Sequence, residues 1–116
     1  KGPTMLDLEK MKKAAAHKER EMELPLLGET VRVRLFKKGD IDAMRAESML
    51  AGQVDNDTFE RLLCQRGLIE PAIDEATYAD LKQGNAAVYY SLLSAVMEGN
   101  GLTALSQRDA RRTFPA

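Results

Sequence analysis

Val31, Val33 and Leu35 alternate with Arg32 and Arg34. That two-residue period constrains the chain more than any other feature, because only a strand with one buried and one wet face reads this way. A strand needs a neighbour. Immediately upstream, Met22, Leu24 and Leu26 alternate more weakly, Pro25 confines that run to a sheet edge, and Gly28-Glu29-Thr30 can turn the chain. A small β-hairpin is therefore predicted over residues 22–36.

From Lys38 onward the period becomes helical. Gly39-Asp40 opens a stretch with Ile41, Met44 and Ser48 on one side, ending near Gly52. Asp57 and Glu60 form a capping-box pattern ahead of an apolar face of Phe59, Leu62 and Leu63 that stops at Gly67. Pro71 makes Leu68 to Ile73 an extended connection. Asp74 caps a short helix bearing Tyr78 and Leu81, and Gly84 is expected to close it in the left-handed conformation. Asn85 then caps the most apolar helix, with Tyr89, Leu92, Leu93, Val96 and Met97 on its stripe and Gly99-Asn100-Gly101 behind it. This helix is the expected centre of the core. Upstream of the hairpin, Leu8, Met11 and Ala15 form a thin helical stripe that either docks or orders only on contact. Ser106 and Asp109 suggest a last turn. The 116 residues suit one domain. The predicted fold is mainly α (α+β): a small N-terminal β-hairpin followed by a bundle of four or five short helices. It comprises a helical or partly disordered leader at 1–21, a globular domain at 22–107 and a basic tail at 108–116.

Charge narrows the function. The net charge of −1 conceals a basic start (+4 over residues 1–38), an acidic middle (−7 over 39–107) and a basic end (+2 over 108–116). An acidic middle argues against a central nucleic-acid groove, since phosphate binding needs clustered surface cations. A helix-turn-helix reading across Gly67 to Asp74 would give a recognition helix carrying Glu75, Asp80 and only Lys82, which repels phosphate. The basic N-terminal segment, with Arg108, Arg111 and Arg112, keeps open an alternative, a small nucleic-acid-binding regulator using its basic terminal segments. No apolar run is long enough to span a bilayer, so a soluble, cytoplasmic protein without membrane contact is expected.

Enzyme signatures fare poorly. Cys64 is the single cysteine and follows Leu62 and Leu63 on an apolar helix face, the setting of a small core hydrophobe. His17, the single histidine, sits among Lys12, Lys13, Lys18 and Arg20, which disfavours an added positive charge. Neither a phosphate-binding glycine loop nor a nucleophile elbow is present. Counted from Asp55, a calcium loop would need an oxygen ligand, a glycine and a glutamate where Phe59, Glu60 and Arg66 stand. Asp40, Asp42, Asp55 and Asp57 are better explained as helix caps. No catalytic residue, metal or cofactor is expected.

The order of features resembles a known family. The runs "VRVRLFKKGDIDAMRAE", "CQRGLIEPAI" and "YADLKQGNAAVYYSLLSAVMEGNGL" resemble the tail assembly chaperones of long-tailed bacteriophages and related prophage proteins. The resemblance covers about residues 22–102. It rests on the connection Leu68-Ile69-Glu70-Pro71, a short helix ending in Gly84, and a last amphipathic helix closing on Gly99 to Gly101. It implies a non-enzymatic role in the host cytoplasm during phage assembly: coating the long helical tape measure protein, keeping it soluble, and leaving as tail tube subunits polymerise around it.

A chaperone for a helical client needs apolar surface beyond its own core. Met49 and Leu50 extend past the stripe of Met44 and Ser48, and Tyr90 lies off the stripe of Tyr89, Leu92, Leu93 and Val96. These three residues are the expected partner-binding positions, for a client (tape measure protein, possibly tail tube protein) or for self-association.

Overall fold

The computed structural model describes residues 5 and 7–102. It is a mainly helical α+β fold in which a β-hairpin precedes four packed helices. Strands β1 (Glu19–Leu24) and β2 (Glu29–Arg34) form the hairpin, starting three residues earlier than expected. Its turn closes where the Leu27 and Gly28 N–H groups donate to the Leu24 carbonyl, with Gly28 at φ 65°. Met22 lies opposite Val31, and Leu24, Val31 and Val33 are buried, as the alternation requires. The other face of β1 presents Glu19, Glu21 and Glu23 to solvent.

Helix α2 (Lys38–Glu47) follows the hairpin. The Asp40 carboxylate accepts from the Lys37 N–H at 3.1 Å, satisfying one of the free donors at a helix start. Met44 and Ser48 are buried as expected. The helix does not reach Gly52: the Ser48 hydroxyl donates to the Met44 carbonyl at 2.7 Å and the chain reverses into a tiny hairpin, β3 (Met49–Leu50) and β4 (Gln53–Val54). Ala51 at φ 53° and Gly52 at φ 82° have the two left-handed residues that a type I′ turn demands.

Helix α3 (Asn56–Gly67) is capped by Asp55, whose carboxylate accepts from the Thr58 N–H at 3.2 Å, rather than by Asp57. Gly67 ends α3, as its position predicted. A Cβ there would stand 2.5 Å from Val96 Cγ1, so the position needs glycine for close packing. The extended segment that follows is a third strand, β5 (Leu68–Glu70), antiparallel to β2 in the order β1-β2-β5. Arg32 on the central strand lies 3.7 Å from Glu19 and 3.6 Å from Glu70, bridging all three strands.

Asp74 caps α4 (Glu75–Gln83) through the Thr77 N–H at 2.8 Å, and Asn85 caps α5 (Ala86–Gly99) through the Ala87 N–H at 2.8 Å. Gly84 between them is extended, φ −96° and ψ −157°, which corrects the left-handed closure expected there. Helix α5 is the centre of the core, with Tyr89, Leu92, Leu93, Ala95 and Val96 buried against α3, α4 and the sheet. Met44, Leu63 and Val96 are almost wholly enclosed, and burial of each side chain contributes about 1.5–3 kcal/mol. The end of α5 is a Schellman turn: Leu102 N–H donates to Met97 O, Gly101 N–H to Glu98 O, and Gly101 has φ 72°. Asn100 ties this end to the sheet, its Oδ1 accepting from Phe36 N–H at 2.7 Å and its Nδ2 donating to the Arg34 and Val96 carbonyls at 2.9 Å. The turn suggested by Ser106 and Asp109, and Arg108, Arg111 and Arg112, lie outside the described residues.

Candidate functional site

The small hairpin β3–β4 carries the first apolar group outside the core. Met49 and Val54 are a cross-strand pair and Leu50 faces Gln53. All three apolar side chains are exposed, Leu50 at 67% and Met49 at 50%. The Asp55 N–H donates to the Ser48 carbonyl at 2.7 Å, closing the loop just outside the hairpin. The anchor beneath is the buried pair Met44 and Ser48. Val54 was not singled out in the sequence, because the pairing that sets it beside Met49 depends on the unexpected turn.

Tyr90 is the second position, 56% exposed on α5. It lines two shallow clefts. One, of about 180 Å³, runs toward α3 and α4 and includes Asp57, Glu60, Ala86 and Tyr89; the other, of about 310 Å³, runs toward the hairpin turn past Pro25, Ser94 and Glu98. Met49 and Leu50 line neither. The wall of the first cleft is set by a chain of hydrogen bonds: Tyr89 Oη donates to Glu60 Oε1 at 2.7 Å and lies 3.0 Å from Tyr78 Oη. Burial, then the bonds to Tyr78 and Glu60, push the Tyr89 phenol far above its ordinary value, so it stays protonated and continues to donate. Tyr89 and Tyr90 meet edge to face, centroids 5.3 Å apart, which orients the exposed ring.

Helix α1 (Leu8–Ala15) is the third group. Asp7 caps it by accepting from the Lys10 N–H at 2.8 Å. Leu8 and Met11 form its apolar stripe, yet none of its residues is buried. His17, beyond its end, is exposed.

Several other titratable groups serve the fold. Cys64 is buried, and burial followed by the nearby Glu60 charge pushes its thiol up to about 12, leaving it protonated at neutral pH. Asp40, Asp55 and Asp74 are helix caps. Asp42 instead pairs with Lys38 at 2.9 Å. Among the described residues no group of three or more His, Cys, Asp or Glu is placed to hold a metal ion, and no helix is long and apolar enough to cross a membrane. Comparison with family models, with curated proteins and with solved structures gives no match to this chain.

Proposed function

We propose that this chain is a non-enzymatic assembly chaperone of the phage tail type, binding an amphipathic helical client such as a tape measure protein and keeping it soluble for tail tube polymerisation. The observation that supports this most directly is the β3–β4 hairpin, which holds Met49, Leu50 and Val54 in water above a core that is closed without them. Exposed side chains on a paired hairpin suit the apolar stripe of a helix, whose anchors recur every three or four residues. Tyr90 adds a further apolar position, for the client or for a second copy.

The test is co-expression with a tape measure protein, followed by pull-down and light scattering at low and high salt. A soluble complex that survives high salt, and that is lost when Met49→Asp and Leu50→Asp are combined with the melting curve unchanged, is the expected result. An insoluble client beside a free chaperone refutes the reading. DNA retention that fades as salt rises would instead favour the regulator that uses basic segments, for which the exposed Lys10, Lys12, Lys13 and Lys18 are the candidates.

A further inference from the structure

Helix α1 presents a problem of stability that the described residues do not solve. Eight residues are too few for an isolated helix to persist in water, and amphipathic helices of that length owe their order to a surface. One cap from Asp7 and two alanines help, but Leu8 is 67% exposed and Met11 44%, and nothing of the helix is buried. Around the helical wheel, Lys12 lies roughly 40° from Leu8, on the border of the apolar stripe, while Lys10 and Lys13 lie well away from it. The face that needs covering is therefore apolar with one flanking ammonium group.

The cleft beside Tyr90 has the complementary character. Its apolar walls are Leu81, Ala86 and the rings of Tyr89 and Tyr90, and Asp57 and Glu60 stand along its α3 side. Glu60 uses Oε1 for the Tyr89 hydroxyl, which leaves its second oxygen for another donor. Lys82 also lines the cleft, with its ammonium 5.9 Å from the Tyr78 ring centroid. Charge separates the two surfaces on a larger scale as well. Residues 1–18 hold five Lys/Arg against two Asp/Glu, whereas residues 19–102 hold nine against fifteen.

We propose that α1 is an exchanged arm: it docks in the Asp57–Glu60–Tyr90 cleft of a second copy of this chain, with Leu8 and Met11 on the Tyr90 ring and Lys12 between the two carboxylates, and the second copy returns the contact. The arrangement is a two-fold dimer with two identical arm-to-cleft contacts, so each contact is made once by each copy. It assigns Tyr90 to the second copy and leaves the β3–β4 hairpin, which is no part of either surface, to the client.

Charge reversal with mixing tests it. Lys12 and Asp57 are both exposed, so Lys12→Glu and Asp57→Lys should leave far-UV circular dichroism unchanged; Asp57→Lys, which reverses a charge in the first turn of α3, should lower the melting temperature by only a few degrees. Light scattering and sedimentation over the micromolar range are expected to show a dimer for the parent chain. Each single variant should dimerise at least about tenfold more weakly, since like charges face one another in both contacts. Mixing the two variants should restore dimers, because each arm then meets a cleft of opposite charge. A parent chain that is monomeric throughout, single variants that dimerise as the parent does, or a mixture that fails to recover would each overturn the exchange. Protection of α1 from hydrogen exchange in a chain that stays monomeric would instead place the arm on its own body.

Discussion

Gly67→Ala sets two opposing effects against each other. Alanine is the better helix former, and in an open helical position the exchange gains about 0.5–1 kcal/mol, partly by restricting the unfolded chain. At Gly67 the added carbon meets Val96 Cγ1 at 2.5 Å, Cγ2 at 3.2 Å and Phe36 Cε2 at 3.5 Å. Val96 is wholly buried in α5 and, being β-branched, has a single favoured rotamer in a helix. It can retreat only if α5 moves away from α3. Overpacking of this kind costs about 1–3 kcal/mol, so the net change is a destabilisation of up to about 2.5 kcal/mol, a fall in melting temperature of up to roughly 10 °C for a chain of this size. Urea and thermal denaturation followed by circular dichroism measure it. Gly39→Ala is the control, because nothing lies within 4 Å of a Cβ built there; it should stabilise slightly. Adding Val96→Ala to Gly67→Ala should make the pair clearly non-additive, since the clash disappears. A Gly67→Ala chain at least as stable as the parent would refute the close-packing argument.

The other expectations concern the α5 terminus, the buried thiol and the acid limb of stability. Asn100→Ala removes the acceptor for Phe36 N–H and the donor to the Arg34 and Val96 carbonyls; a loss of about 2 kcal/mol is expected in urea, and an unchanged midpoint would show that water replaces the side chain. With its pKa near 12, Cys64 is ionised in about one molecule in ten thousand at pH 8, so a thiol reagent should label it at the rate of opening and rapidly only in denaturant. Fast labelling of the folded chain contradicts this. The Asp74 carboxyl is held low by hydrogen bonds from Thr77, and that of Glu47 by its bond with Arg66. The unfolded chain therefore binds more protons than the folded chain in the carboxylate range. The stability from both groups is complete above the ordinary carboxylate values and is lost as pH falls through the lowered ones. Asp74→Asn and Glu47→Gln should flatten that limb, and an unaltered pH profile in both would count against these interactions.

Local signals carried much of the fold. The two-residue period of Val31 and Val33, the caps Asp74 and Asn85, and the stripe from Tyr89 to Val96 each depend on residues within one or two turns of each other, and all are found in the structure. What was hidden depends on distant partners. The third strand, β5, has three residues, too few to alternate, and exists because β2 offers it an edge. The reversal at Ala51 and Gly52 was masked because Met49 and Leu50 prolong the spacing of the helix before them, and alanine gives no hint of a positive φ. Gly67 reads only as a helix stop and Gly84 as a left-handed cap when taken alone; the nearness of Val96 to the first and the extended backbone at the second are tertiary facts. At the candidate sites, Tyr90 could be read as off-stripe, whereas the Tyr78, Tyr89 and Glu60 chain joins three helices and left only a faint trace, two phenols on apolar stripes whose hydroxyls needed partners.

The three glutamates along β1 decide how this molecule can be crowded. A free strand edge invites the same edge of a neighbour. Antiparallel pairings that keep buried faces together place Glu19 opposite Glu23 and Glu21 opposite Glu21, or Glu21 opposite Glu23. Every such sheet would seat like charges shoulder to shoulder along its seam. Backbone-to-backbone growth into fibrils is thereby discouraged at neutral pH, leaving contacts through side chains as the route by which copies of this chain can meet.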